Sequence, residues 1–413
     1  MLPVKPDRGE GLDAMTPEGC CPPDPLSGDP SHTQYREHCL DSTRRLAIMN
    51  LDTAHVEAYL RRRLGRPVQV LAMQALGDEP TVSSCERHRL KTYGYGRPVL
   101  VQYQIDGIEH RAVLRTMAAS PFGHEWRADR AAGMLLSYDT FNELPQHVRA
   151  LDVGVLRQDG QLTSLHDGGE FFLLTDYVEG TLYADDLARL RDTGHLTGRD
   201  LRRAEALARY LTEIHALKRD DPTLYRRAVR DLVGSGEGIF GLADSYPKDF
   251  SLVDAAFLEH VEHACVQWRW RLKTHPQRLA QIHGDFHPFN VLFGADEAFW
   301  LLDRSRGGWG EPADDVACMA INYLFFSLQR SGGLASPFEQ LWDVFWSTYL
   351  EQTGDRELLG LVAPFFAWRA LVVASPAWYN VPDDVRLTLF RFIENVLAAP
   401  VFDPAHVNTY LQR

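Results

Sequence analysis

The stretch from Gln281 to Asp303 constrains this chain more than any other. It reads Gln-Ile-His-Gly-Asp-Phe-His-Pro-Phe-Asn-Val-Leu-Phe-Gly-Ala-Asp-Glu-Ala-Phe-Trp-Leu-Leu-Asp, with a core of the form H-G-D-x-H-x-x-N. Val291–Phe293 is a short apolar strand by composition, 294–297 a turn, and 298–302 a returning strand. A hairpin of that length carries Asp303 back beside Asn290. One carboxylate ahead of the hairpin and two oxygen-bearing side chains at its base suit phosphoryl transfer. That reaction needs a carboxylate facing the attacking hydroxyl and oxygen ligands that hold Mg²⁺ against nucleotide phosphates. Asp285 can supply the first; Asn290 and Asp303 can share the metal.

His283-Gly284-Asp285-Phe286-His287-Pro288-Phe289-Asn290 resembles the catalytic loop of the aminoglycoside phosphotransferase and choline kinase-like family. Downstream, Gly310-Glu311-Pro312-Ala313-Asp314-Asp315-Val316-Ala317 resembles the G-D-P-x-x-D-L-A stretch of the same family. The resemblance implies an α+β, bilobal protein-kinase-like fold, with a small antiparallel-sheet N-lobe and a larger, mainly helical C-lobe. It implies transfer of the γ-phosphoryl of ATP, or GTP, to a hydroxyl of a small molecule, with Mg²⁺ held by Asn290 and Asp303. Asp285 is then the catalytic carboxylate. His287 either donates to the transferring group or braces the loop, with bracing preferred. Asp315 resembles the residue that hydrogen-bonds the loop backbone, a structural role.

The N-lobe is expected over 49–175, after a tail at 1–48. That tail carries Pro3, Pro6, Pro17, Pro22, Pro23, Pro25 and Pro30 with few apolar residues, a composition that favours disorder. A helix follows Leu51. Val68–Leu76 is a strand candidate, and 99–105 and 111–117 read as two strands about the Asp106-Gly107 turn. By position, Gly94 and Gly96 lie where backbone N–H groups would cover nucleotide phosphates; Gly77 or Ser83-Ser84 are the alternatives. Arg115 takes the place of the strand cation that contacts phosphate. Glu125, with Asp129 as competitor, lies in the first turn of a helix expected over 122–140, where the family's carboxylate holds that cation. Phe171–Leu174 reads as a core strand leading to a hinge, with Asp176 and Val178 beside the adenine ring.

The C-lobe, 176–413, is expected to be helical. His215 reads as a core residue within an amphipathic run over 201–215. Val316–Phe326 is apolar all round, as in a buried central helix, and helical segments follow over 338–350, 358–374, 384–397 and 404–411.

Composition sets outer limits. Of 413 residues, 45% are hydrophobic and 24% charged, the balance of a globular protein, and the net charge of −13 argues against nucleic acid or an anionic membrane as partner. The six cysteines, Cys20, Cys21, Cys39, Cys85, Cys265 and Cys318, show no C-x-x-C pair, and the amino terminus lacks an apolar core. A reduced, cytoplasmic protein is expected. A small-molecule kinase is the leading function; a nucleotide-binding relative without transfer and a protein kinase are the alternatives. For Trp378, Tyr379, Asp383 and Asp384 the preferred reading is that the aromatics anchor their loop and the carboxylates cap the next helix; the alternative is that they seat the amine of an amine-bearing alcohol or sugar acceptor. If they do not, an anionic acceptor near Arg304, Arg306, Trp309 and Glu311 is the alternative.

Overall fold

Asp52 stops the extended chain by accepting the His55 N–H at 2.8 Å on its carboxylate, and so starts helix α1 (Thr53–Leu64). Gly65, at φ 64°, ends it in the left-handed conformation that glycine adopts without strain. This computed structural model describes residues 51–76, 98–295, 297–304 and 306–412. The tail, Gly77, Ser83-Ser84, Gly94 and Gly96 fall outside them.

Three strands follow: β1 (Gln69–Ala75), β2 (Val99–Ile105) and β3 (Ile108–Leu114), antiparallel in the order β1-β2-β3. Asp106 and Gly107, both at positive φ, turn β2 into β3, as the Asp-Gly pair requires. The third strand begins earlier than residue 111 because Ile108 pairs with Ile105 directly across that two-residue turn. Val56, Val68, Val101, Tyr103 and Leu162 form a small core beneath the sheet. Helix α2 (Arg127–Phe141) starts later than expected: Gly123 takes φ 85°, and the Asp129 carboxylate accepts the Trp126 N–H at 2.6 Å. A short hairpin, β4 (Gly154–Leu156) with β5 (Leu162–Ser164), completes this part.

Strand β6 (Thr181–Leu182) leads into helices α3 (Tyr183–Thr193), α4 (Gly198–His215), α5 (Pro222–Gly234), α6 (Ile239–Ser245) and α7 (Ala255–Leu272). Four short strands follow: β7 (Ala280–Gln281), β8 (Val291–Phe293), β9 (Phe299–Leu301) and β10 (Trp309–Gly310). Helices α8 (Ala313–Ser331), α9 (Phe338–Thr353), α10 (Ala363–Ala374) and α11 (Asp383–Ala398) close the chain, with a 3₁₀ segment over Pro404–Leu411. Residues Asp315 to Leu328 of α8 are all buried. That is the physical consequence of a helix apolar on every side, and α3, α9, α10 and α11 pack around it.

The fold is therefore α+β. It divides into two compact units, Met1–Ala119 with Arg130–Gly169 and Ser120–Asp129 with Glu170–Arg413. The first holds the antiparallel sheet and the second most of the helices. One expectation fails. Phe171, Phe172, Leu173 and Leu174 form no strand and are 67%, 92%, 88% and 88% exposed rather than core. An apolar run becomes a strand only where a second edge accepts its backbone groups, and in this unit β8 takes β6 and β9 as its two partners. Among the described residues no helix is long and apolar enough to cross a membrane.

Candidate active site

The H-G-D loop is held from the helix behind it. Gly284 sits at φ 87°, where a Cβ would meet the Gly307 carbonyl oxygen at 3.2 Å, so glycine is needed there. The fully buried Asp315, in the first turn of α8, accepts the His283 N–H at 2.7 Å and the Gly284 N–H at 2.8 Å. Its Oδ2 is also 3.2 Å from Nε2 of His215, whose Nδ1 is 2.8 Å from the Tyr349 hydroxyl. Burial pushes the Asp315 carboxyl up, but His215 and the two backbone donors outweigh it and hold the carboxyl low. Asp315→Asn should therefore cost about 2–3 kcal/mol of stability by denaturant titration, because one backbone N–H would face an amide N–H instead of an acceptor.

His283 stiffens the same loop. Its Nδ1 accepts the Asp285 N–H at 3.3 Å, and its ring also bonds the Leu302 backbone. Burial lowers its pKa against the pull of Asp315 and Leu302, and the neutral ring is the form that can accept this bond.

Asp285, 8% exposed, lies at the centre. Arg369 donates to its Oδ1 at 2.6 Å and Arg306 to the same oxygen at 3.1 Å, while Nε2 of His287 lies 3.5 Å from Oδ2. Burial alone would raise this carboxyl; His287, Arg369 and Arg306 reverse that and hold it well below the usual carboxylate range. Such a group is a poor base and a good hydrogen-bond acceptor. Nδ1 of His287 is buried and finds no hydrogen-bond partner among the described residues, and the ring packs edge-on to Phe289. Arg306 also donates to Glu237 at 2.8 Å and lies over the Trp368 ring.

The hairpin forms as its composition implies. Val291 pairs with Leu301 and Phe293 with Phe299, and the Leu302 N–H donates to the Asn290 carbonyl at 2.9 Å. That last bond sets Asp303 beside the backbone of Asn290. Asn290 Nδ2 donates to the Asp285 carbonyl at 3.1 Å, which leaves Oδ1 as the atom free to bind a cation. Asp303 is exposed and holds φ at 45°, a left-handed conformation that aspartate tolerates. Among the described residues no group of three or more His, Cys, Asp or Glu side chains gathers as a metal cage. An amide oxygen and a carboxylate fit magnesium nonetheless. It takes one or two protein oxygens and fills its octahedron with water and phosphate oxygens.

Arg115 is exposed, immediately after β3. Glu125 precedes helix α2 instead of lying in its first turn. Arg227 donates to Glu125 at 3.1 Å and to both carboxylate oxygens of Asp129, so the two competing residues share one guanidinium. Asp176 is exposed and Val178 half-buried, in irregular chain before β6. Arg304 donates to the Ile282 carbonyl at 2.7 Å and the Gly308 carbonyl at 3.0 Å. Glu311 is buried against Arg278, 2.7 Å away, and accepts from Tyr225 at 2.8 Å, so it is spent on packing and not open to an acceptor. Tyr379 packs on Phe289 and Phe325, whereas Trp378 is 67% exposed.

Sequence reasoning missed Arg369. It lies in α10 within Phe365-Phe366-Ala367-Trp368-Arg369-Ala370-Leu371, and it is 5% exposed. A cation inside an all-apolar helical run is itself a signal, since a buried charge must find a partner.

Solved structures with related folds include a Plasmodium vivax ethanolamine kinase, at 12% identity over 76% of this chain and 77% of that one, with a TM-score of 0.33. They also include a macrolide 2′-phosphotransferase type I, at 19% identity over 78% and 90%, TM-score 0.29. A third is a thermostable aminoglycoside phosphotransferase mutant bound to ADP and hygromycin B, at 14% identity over 83% and 97%, TM-score 0.33. Superpositions this loose add nothing to the chemistry argued from the residues. No curated protein sequence matches the chain. The phosphotransferase enzyme family matches over residues 99–350, more than half of the chain and the whole of the loop, hairpin and anchoring helix, and the chain belongs to that family.

Proposed function

We propose that the protein transfers the γ-phosphoryl group of ATP, or GTP, to a hydroxyl of a small molecule. The observation that carries this reading is the state of Asp285. Two guanidinium groups take Oδ1 and leave Oδ2, beside His287, to receive a hydroxyl. The acceptor oxygen bonds to the γ-phosphorus as the bridging P–O bond breaks, and that electron pair leaves with the nucleoside diphosphate. The hydroxyl proton passes to Oδ2 late, when the oxygen has already lost charge to phosphorus, so weak basicity is no obstacle. Asn290 Oδ1 and the Asp303 carboxylate would hold Mg²⁺, which supplies charge neutralisation at the phosphates. His287, with Nε2 3.5 Å from Asp285 Oδ2, would brace that carboxylate. Release of ADP or GDP that depends on an added acceptor, across amino alcohols, amino sugars and neutral polyols, tests the assignment. Nucleotide binding without such release would contradict it.

An amine-bearing acceptor is supported by the 375–384 loop. Tyr379 and Arg386, which donates to the Tyr379 carbonyl at 2.6 Å, anchor that loop and leave Trp378 unspent. Asp383 and Asp384 are exposed in the first turn of α11, where Asp384 Oδ1 accepts the Val385 N–H at 2.9 Å and its Oδ2 remains open to a cation. A cation–π contact is worth about 0.5–2 kcal/mol. Trp378→Ala should therefore raise the acceptor KM by about three- to thirtyfold and leave the nucleotide KM unchanged. The Asp383→Asn, Asp384→Asn pair should lower the salt sensitivity of that KM while changing the melting temperature little. Unchanged acceptor kinetics in all of these would remove the loop from the acceptor site.

A further inference from the structure

Helix α8 opens with two adjacent carboxylates, and both lead to the H-G-D loop by different routes. Asp315 holds its backbone directly. Asp314 reaches its side chain through Arg369. Nη2 of Arg369 donates to Asp314 at 2.6 Å and to the Gly284 carbonyl at 2.9 Å, while Nη1 donates to Asp285 Oδ1 at 2.6 Å. The guanidinium is planar and rigid, so these bonds fix the Asp285 carboxylate relative to the backbone of its own loop. Arg369 is buried and comes from α10, a helix otherwise apolar through its length, so solvent does not compete for its donors. Arg306, by contrast, divides itself between Asp285 and the exposed Glu237. Among the described residues only Arg369 ties the carboxylate to a second buried element.

We propose that Arg369 is a positioning residue of the transfer reaction. It holds Asp285 by Oδ1 so that Oδ2 faces the acceptor hydroxyl, and Asp314 anchors it. This rests on the phosphotransferase reading above. A carboxylate that can rotate presents Oδ2 in the productive direction only part of the time, so loss of the fork lowers turnover without changing nucleotide affinity.

The test uses the full chain with Mg·ATP and water as acceptor, which needs no knowledge of the natural substrate. Arg369→Lys keeps the buried cation but not the planar fork. It should lower the hydrolytic kcat by about 10- to 100-fold, the scale of a misplacement near 1 Å, with the KM for Mg·ATP within about twofold of wild type. Arg369→Met strips the mostly buried Asp314 of its cation and leaves Asp285 with Arg306 and His287 alone, so it should lower both kcat and melting temperature. Adding Asp314→Asn removes the stranded charge. The double variant should regain most of the melting temperature while kcat stays low, because Asp285 still lacks its fork. A purely structural role for Arg369 predicts that kcat returns together with the melting temperature. That recovery, or a wild-type kcat in Arg369→Lys, would overturn the proposal. Asp285→Asn serves as the control. If it is inactive while Arg369→Lys is normal, only the role of Arg369 falls. Wild-type turnover in Asp285→Asn would bring down the underlying assignment of Asp285 instead.

Discussion

Replacing Asp285 by alanine is expected to lower phosphoryl transfer by about 10²–10⁴-fold, the range for a positioned proton acceptor, while the Kd for Mg·nucleotide stays within about twofold. The geometry separates the two quantities. The Asp285 side chain contacts Arg369, Arg306 and His287, none of which is a metal-binding candidate, and Asn290 is held by the Asp285 backbone carbonyl, which alanine keeps. The fold should survive as well. Arg369 retains Asp314 and Arg306 retains Glu237, so neither cation is stranded. Calorimetric titration of nucleotide beside steady-state turnover checks both halves. Turnover near wild type would move the acceptor base elsewhere; a collapse in nucleotide affinity would mean that Asp285 serves the metal.

Asp303→Ala should have the converse signature. Its carboxylate is one of two protein oxygens proposed for Mg²⁺, and Asn290 alone brings no charge. Loss of about 3 kcal/mol of metal-mediated binding corresponds to roughly a hundredfold weaker Mg·nucleotide affinity. Affinity of the wild type measured with a chelator present should be close to that of the variant with magnesium. If the variant keeps the full magnesium dependence, Asp303 does not hold the metal. Because Asp303 is exposed and at positive φ, Asp303→Ala should change the melting temperature little beyond the cost of alanine in that conformation.

What was legible in the sequence was local. The apolar strands on either side of 294–297 could only return Asp303 to Asn290, and they pair in the register that composition implies. The buried stretch of α8 was visible as an apolar helix, and Asp315, at its start, holds the loop through two backbone N–H groups. His215 is a core residue, but it also supports Asp315, a contact between residues far apart in the chain that periodicity does not show. Arg369 was illegible for the same reason: its partners Asp285 and Asp314 lie in other segments, and only packing brings them together. Glu125 falls ahead of the helix, not in its first turn, because Gly123 and the Asp129 side chain move the helix start to Arg127. Phe171–Leu174 was misjudged because apolar composition does not supply a partner strand.

Phosphorus NMR on the full chain with Mg·ATP and a pool of hydroxyl acceptors tests the central claim most directly. The account predicts that a phosphate-monoester resonance grows in step with ADP, that both depend on added magnesium, and that both grow at least about a hundredfold more slowly in Asp285→Ala. Nucleotide that binds and remains intact with every acceptor, or a monoester that forms in Asp285→Ala at the wild-type rate, would contradict it.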